Sequence, residues 1–280
     1  MVTQFNGLNY VELWRDLVRL SAVRRQRKTE MITGDQWHGK AAEFDQRVNA
    51  RWKEKDSSRA FVLQTLREIS GASVLDIGAG SGAWVSLISP LARAVTAIDP
   101  SPSMLSQLKK RVTEEKLDNV RIVAGFWPQV QVAEHDVCFC SHAMYGAENL
   151  PAFIQSMHAA AKKRVILLLR APSHDGLMAQ AAQLVWGHPF DSPNYQIAMN
   201  ILWQMGIFPN VIMEEDHLWK PWSHASMEEA LSEVKNRLGL FDDRVWDSKL
   251  LELLKSNLVE QAGEYIWPSG MRTALLYWDA

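Results

Sequence analysis

The sequence is poor in cysteine, in net charge and in long apolar runs, and each shortage closes off a class of protein. Only two cysteines occur in 280 residues. Cys138 and Cys140 stand two apart in an apolar run, so they are no disulfide framework. On a strand they would share a face, and without a second ligand pair they make a poor zinc signature. Buried structural thiols are the simpler reading, and a reducing cytoplasm is the expected compartment. Lysine plus arginine number 30 against 32 acids, a formal charge of −2, which sets up no field for nucleic acid or an anionic membrane. No apolar run approaches the roughly 20 residues of a membrane helix. The first thirty residues carry charge throughout, unlike a secretory leader. A P-loop and a G-x-S-x-G elbow are missing, and His174, Asp175 and His188 match no standard metal spacing, so no metal is expected. Repeats and low-complexity linkers are missing too, which points to one body with insertions.

What is present is ordinary in bulk: 47% hydrophobic and 22% charged residues, enough for a core. Tryptophan is the exception, at 12 residues, most of them from Trp186 onward. They could line an aromatic pocket or pack a core; composition leaves both open. Val11, Trp14, Leu17 and Val18 recur at helical spacing from Tyr10 to about Lys28. The cluster Arg24, Arg25, Arg27, Lys28 then reads as a solvated helix end, with an acidic-ligand site as the alternative. Helices are expected from Gly39 to about Lys53, and from a cap at Asp56, Ser57 or Ser58 to Gly71. From there the pattern alternates. Strand-like runs at Ser73–Ile77, Ala94–Ile98, Val120–Ala124, Asp136–Cys140 and Val165–Leu169 are separated by helical segments at Ala83–Ala92, Pro102–Lys116 and Pro151–Lys162. Such alternation predicts a parallel sheet covered on both faces, with ligands at the carboxyl ends of its strands. Beyond Arg170, helices are expected at Met178–Trp186, Tyr195–Met205, Ser226–Leu238 and Ser248–Ala262, and strands at Asn210–Glu215 and Thr273–Trp278.

The sharpest motif is VLDIGAGSGAW, Val74 to Trp84. An apolar strand feeds Gly78-Ala79-Gly80-Ser81-Gly82, and a helix starts directly after. Glycine permits φ > 0 and close backbone approach, and the helix start offers free N–H groups. Gly78, Gly80 and Ala83 also satisfy the loose dinucleotide pattern, which alone is weak. Asp76 argues against a pyrophosphate at the strand end, since like charges repel; it suits a ligand carrying an ammonium group. Asp99, 21 residues after Gly78, ends the next strand. There it can accept two ribose hydroxyls or head the following helix.

These residues resemble the first motif of class I S-adenosylmethionine-dependent methyltransferases, strongly over about 37–170 and loosely beyond. The resemblance implies that Asp99, followed by Pro100, holds the ribose and that Met104 packs on adenine. Many members carry an acid after the glycine that follows the third strand. Here Phe126 follows Gly125, so the backbone of those two and the ring of Trp127 would take over adenine recognition. Ser141 and His142 fall beneath the methyl donor, with Tyr145 toward the substrate. His142 is either a general base, with a suitable pKa, or a hydrogen-bonded pocket histidine. Asp136 starts its strand at the end away from the ligand. Trp37, Ala41 and Phe44 share a helical face, which is a lid over the cofactor in many small-molecule members, or core. No Asn- or Asp-Pro-Pro-aromatic tetrad and no Pro-Cys nucleophile appears, which disfavours nucleobase methylation.

The expected fold is α/β, a Rossmann-like, seven-stranded, mostly parallel sheet. An N-terminal helical lid region (1–71) precedes the S-adenosylmethionine-binding core (72–171), a helical cap over the strand ends (172–208) and a segment completing the sheet (209–280). The expected activity is methyl transfer from S-adenosyl-L-methionine, leaving S-adenosyl-L-homocysteine, to a small-molecule acceptor, with no nucleic-acid or membrane partner and the oligomeric state open. Two other readings stay open: a non-catalytic S-adenosylmethionine-binding sensor or interaction subunit, and an NAD-dependent oxidoreductase on the same glycine loop.

Overall fold

Ten segments take up extended structure in a computed structural model that describes residues 7–28, 34–215 and 219–280. They are β1 (Ser73–Ile77), β2 (Ala94–Asp99), β3 (Val120–Ala124), β4 (His135–Ser141), β5 (Ala161–Pro172), β6 (Asn210–Met213), β7 (Ser223–His224), β8 (Val259–Gln261), β9 (Glu264–Ile266) and β10 (Met271–Asp279). Seven of them form one sheet in the order β3-β2-β1-β4-β5-β10-β6. The first five in that order run parallel, and β10 runs antiparallel to both its neighbours. Chain order reverses between β1 and β4, and a crevice opens at the carboxyl ends of strands that diverge in this way.

The central strands are apolar without alternation because both faces are covered. Leu75, Ile77, Cys138, Cys140, Leu167 and Leu276 belong to the core on one face; Val74, Val95, Phe139, Ile166 and Leu275 belong to the core on the other. Cys138 and Cys140 are both fully buried on the same face, as period-two geometry requires.

Ten α-helices occur among the described residues: α1 (Tyr10–Lys28), α2 (Ala41–Arg51), α3 (Ser57–Glu68), α4 (Ala83–Ile88), α5 (Pro102–Glu114), α6 (Leu150–Ala160), α7 (Leu177–Trp186), α8 (Tyr195–Gln204), α9 (Met227–Arg237) and α10 (Asp247–Asn257). Side-chain caps set several starts. Asp56, Ser101, Asn149, Asn194 and Ser226 each accept a backbone N–H from the first turn of α3, α5, α6, α8 and α9 respectively, each cap being worth about 1 kcal/mol.

Three expectations need correction. The segment 172–208 is not one cap over the strand ends. Ile197, Ala198, Ile201 and Leu202 of α8 are fully buried in the same core as Trp14, Leu17 and Val18 of α1, so α8 is a sheet-covering layer packed on α1, α6 and β5. Meanwhile α7 joins α9 and α10 in a separate apolar cluster around Leu250 and Trp267. The N-terminal region likewise divides. Trp14 is fully buried and its indole N–H donates to Ala147 O at 2.8 Å, an anchor whose truncation costs about 3–5 kcal/mol in comparable cores, so α1 is structural and only α2 lies near the glycine loop. Finally, the helix expected to run to Ala262 stops at Asn257. The chain then forms a hairpin, β8–β9, that pairs with β7 in a small second sheet. Ala262 and Gly263 both have positive φ, 53° and 81°, the conformation of a two-residue hairpin turn. Among the described residues no helix is long and apolar enough to cross a membrane.

Candidate active site

The VLDIGAGSGAW motif closes β1 and starts α4, as expected. Gly78 and Ala79 donate to Ile98 O at 2.8 and 2.9 Å, so the loop after β1 is tied to the end of β2. Gly78 has φ 73°, and a Cβ there would collide with Ala143 after β4. Only glycine lets these two loops approach so closely. Above Gly80 the opposite holds: nothing lies within 4 Å of where a Cβ would stand, which leaves open space over the loop.

Two carboxylates flank that space. Asp99 ends β2, its Oδ2 accepting Gly80 N–H at 2.9 Å and its Oδ1 accepting Ser101 N–H at 2.8 Å. Burial pushes its carboxyl above the usual range, against the pull of those two N–H groups, and nearby Asp35 adds to the rise. Asp76 is 1% exposed, and its Oδ2 has no hydrogen-bond partner among the described residues. Burial first, and the charge of Asp99 second, push it up to about 8. A buried carboxyl left unpartnered is costly, and it is the kind of group that a bound cation would satisfy.

Asp35 was not foreseen. It accepts Ser101 Oγ at 2.7 Å, Ser103 N–H at 2.9 Å and Trp37 N–H at 3.0 Å. Burial opposes its ionisation, but the bonds from Ser103, Ser101 and Trp37 outweigh it and hold the carboxyl at about 2. Its signal was an aspartate two residues ahead of Trp37, the pattern of an Asx turn. Trp37 therefore sits in the turn before α2, not in the helix, and stacks on Phe44 with centroids 4.8 Å apart. Arg111, equally unforeseen, donates to Ser81 O at 3.1 Å and to Asp45 of α2 at 2.5 Å, so it pins the glycine loop and α2 together.

The residues expected around adenine are divided. Met104 is buried under the start of α5, and Pro100 is exposed beside it. Gly125 donates to Asp99 O at 3.1 Å, which places the end of β3 next to the β2 carboxylate. Phe126 is 63% exposed. Trp127 turns inward: its indole N–H donates to Phe153 O at 3.2 Å and its ring packs on the core.

At the end of β4, after Ser141, His142 takes a left-handed backbone, φ 54°, and its N–H donates to Leu168 O at 3.0 Å. Tyr145 Oη accepts Arg170 N–H at 2.6 Å and lies 3.0 Å from His142 Nδ1. The phenol can give its proton to Nδ1, with the ring proton on Nε2, or accept from a protonated Nδ1; the first tautomer satisfies both groups. Burial, with Arg51 and Arg170 nearby, lowers His142 to about 3. Trp219 and Arg51 complete this side: Trp219 stands edge-on to His142 at 6.0 Å, and Arg51 lies 4.7 Å over Trp219 while pairing with buried Glu214 at 3.0 Å. Asp136, at the opposite end of β4, accepts Ser73 N–H at 2.9 Å and pairs with Arg93 and Lys163. No group of three or more His, Cys, Asp or Glu side chains suited to a metal occurs among the described residues.

An open, doubly wound sheet with a glycine loop and a carboxylate at each of two adjacent strand ends is a Rossmann-like α/β site for a nucleotide-type ligand. Residues 74–164 match the family model described as a methyltransferase domain, which places a methyltransferase domain in the core of this sheet. No curated protein matches the chain by sequence. Among solved structures, a candidate methyltransferase from Bacillus halodurans is 16% identical, with 78% of this chain and 97% of that chain covered and a TM-score of 0.50. A Geobacter sulfurreducens S-adenosylmethionine-dependent methyltransferase in complex with S-adenosyl-L-homocysteine is 17% identical, with 79% and 90% covered and a TM-score of 0.45. At such identities the first of these bears on the fold alone.

Proposed function

We propose that this chain moves a methyl group from S-adenosyl-L-methionine to a small-molecule acceptor in the cytoplasm, at the crevice between the loops after β1 and β4. The observation that carries this reading is the pair of carboxylates around the open glycine loop, Asp99 held by Gly80 and Ser101, and Asp76 buried with one oxygen unpartnered. These residues fit the donor. Asp76 would take its ammonium end beside Gly78, Ala79, Gly80 and Gly82, Asp99 with Pro100 its ribose, and Met104, Gly125 and Phe126 its adenine, with Ser141 and Trp37 bordering the site. When bound, the donor supplies a sulfonium methyl whose C–S electron pair returns to sulfur as an acceptor lone pair forms the new bond. The protein's part is then to align that lone pair and exclude water, an arrangement able to supply on the order of 7 kcal/mol or more of barrier lowering.

His142 and Tyr145 act in this reading as fixed walls, with the Nε2–H of His142 as the hydrogen-bond donor. A ring whose Nδ1 already takes the Tyr145 proton has no lone pair free to accept one from a substrate. A near-neutral overall charge and the aromatic side chains beside His142 favour a small acceptor over nucleic acid.

A thermal-shift comparison with S-adenosylmethionine, S-adenosylhomocysteine and NAD tests the reading. A ligand at 100 times its dissociation constant adds about 2.7 kcal/mol, so the first two should raise the melting temperature and NAD should not. A rise with NAD alone would replace the proposed donor with a dinucleotide.

A further inference from the structure

Two arginines, Arg170 at the end of β5 and Arg24 on α1, each hold a buried guanidinium nitrogen with no acceptor among the described residues. Arg170, at the end of β5, lies with its guanidinium carbon 4.1 Å from the Tyr145 ring centroid. Its Nε is buried without an acceptor, and no carboxylate among the described residues is within ion-pair distance of it. Arg24, in the last turns of α1, repeats this condition: its Nε is buried and unpartnered and it makes no ion pair among the described residues. The arginine cluster at the end of α1 is therefore not simply a solvated helix end. Arg27 does reach out to Asp242, and the Lys28 side chain lies outside the described residues, but Arg24 turns inward.

Arg24 is close enough to Arg237 and to Arg170 to interact electrostatically with each. Burial and the neighbouring Arg237 push Arg24 down to about 10, while Glu233 and Asp191 oppose them. Asp191 is already engaged, accepting from Arg237 at 2.5 and 3.1 Å and from Ser192 at 3.2 Å. Asp191 is thus committed to Arg237, while the buried Nε of Arg24 and that of Arg170 still lack an acceptor. Burying donors of this kind unpaired is destabilising, and a planar guanidinium is matched best by a two-oxygen anion. The surrounding rings, Tyr145 beneath Arg170 and Trp222 beneath Arg237 at 4.7 Å, leave these forks little other freedom.

From this we infer that Arg170 and Arg24 form an oxyanion-binding subsite for the acceptor, which is a small molecule bearing a carboxylate or a phosphate monoester. This rests on the proposed methyl-transfer reading for its place in the reaction. The anion anchors one end of the acceptor between Arg170 and Arg24, and a separate nucleophile is presented past Tyr145 and His142 toward the donor.

The test titrates wild-type protein with benzoate, phenyl phosphate and benzamide, read by tryptophan fluorescence, with and without saturating S-adenosylhomocysteine. Benzoate or phenyl phosphate should bind about tenfold or more tightly than benzamide, and whichever anion binds better identifies the source of the oxyanion. Arg170→Gln and Arg24→Gln should each remove most of that preference, and Arg170→Lys should keep part of it, because charge survives while the fork is lost. S-adenosylhomocysteine affinity should stay unchanged in all three, which also shows that each variant has folded. Equal binding of benzamide, a preference that survives both glutamine variants, or no binding of any probe would overturn the subsite. Failure of wild type to bind S-adenosylhomocysteine would sink the methyl-transfer reading instead; the anion preference, measured without it, would still stand or fall by itself.

Discussion

The two halves of the crevice are opposites in charge. Around the glycine loop, at the ends of β1 and β2, carboxylates gather: Asp76 and Asp99, both buried, and half-buried Asp35. Across the switch point, at the ends of β4 and β5, two half-buried guanidinium groups lie on rings, Arg51 on Trp219 and Arg170 on Tyr145, and the buried carboxylate there, Glu214, is paired with Arg51. The first half uses backbone N–H groups to hold acids in place, whereas the second uses aromatic faces to hold bases. A cationic donor and an anionic acceptor would each meet the opposite sign, and each would be repelled from the wrong half. Charge alone then orients the pair before any contact is made.

Weakening the acidic half should have the largest effect. Asp99→Ala removes the acceptor proposed for two ribose hydroxyls. Hydrogen bonds to a charged group are worth about 1.5–3 kcal/mol each, so S-adenosylhomocysteine affinity measured by calorimetry should fall by about 100-fold or more. Gly80 and Ser101 lose their acceptor as well, so a lower melting temperature is expected alongside. Unchanged donor affinity would remove Asp99 from the site and break the comparison.

Asp76 gives a smaller effect with a definite sign. Its folded-state pKa of about 8 lies above the ordinary 3.8, so between those values the folded protein holds a proton that the unfolded chain has lost. Its contribution to the stability of the unliganded protein is therefore complete at about pH 4 and declines as pH rises through 8. Asp76→Asn should match wild type near pH 4, melt higher at pH 8, and bind S-adenosylhomocysteine about tenfold more weakly there, since one charge-assisted bond is lost. In wild type, donor affinity should rise with pH toward 8 as binding of the ammonium group expels the proton. A variant that is less stable than wild type at pH 8 would show that Asp76 is a satisfied structural acid.

How far this contrast could be read from the sequence depends on how local its parts are. β1, β3, α1 and the glycine loop were legible because each is a short, continuous pattern, and the ends of β1 and β3 fall where the apolar runs stop. The acidic half is nearly as local, since Asp76 and Asp99 lie in one β-loop-α-β unit. Asp35 was missed because its partners Ser101 and Ser103 lie far along the chain. The basic half is harder still. Arg51 and Glu214 meet across 163 positions, and nothing in the run of arginines at the end of α1 says that Arg24 turns inward while Arg27 stays out. The α8 error has a similar origin: an apolar helix reads alike whether it caps a crevice or covers a sheet. The β8–β9 hairpin was hidden by Ala262, which is not the Asn or Asp usual at the first position of such a turn.

The smallest effect is expected where the two halves meet, at His142. Its folded-state pKa of about 3 lies below the ordinary 6.5. Its contribution to stability is therefore full above pH 6.5 and is lost as pH falls toward 3, because the unfolded chain binds the proton first. Over the physiological range the ring stays neutral, so kcat/KM should show no acid limb belonging to it. Asparagine tolerates the left-handed backbone at this position, which makes His142→Asn the informative replacement. Turnover with a carboxylate acceptor should drop no more than about tenfold, the scale of one lost hydrogen bond, and any limb in the wild-type pH profile should persist in the variant. A general base would instead cost about 10²- to 10⁴-fold, and a limb near pH 6.5 would vanish with it. That outcome would mean that substrate binding strips the Tyr145 proton from Nδ1, and the basic half would then take part in the chemistry as well as in orienting the acceptor.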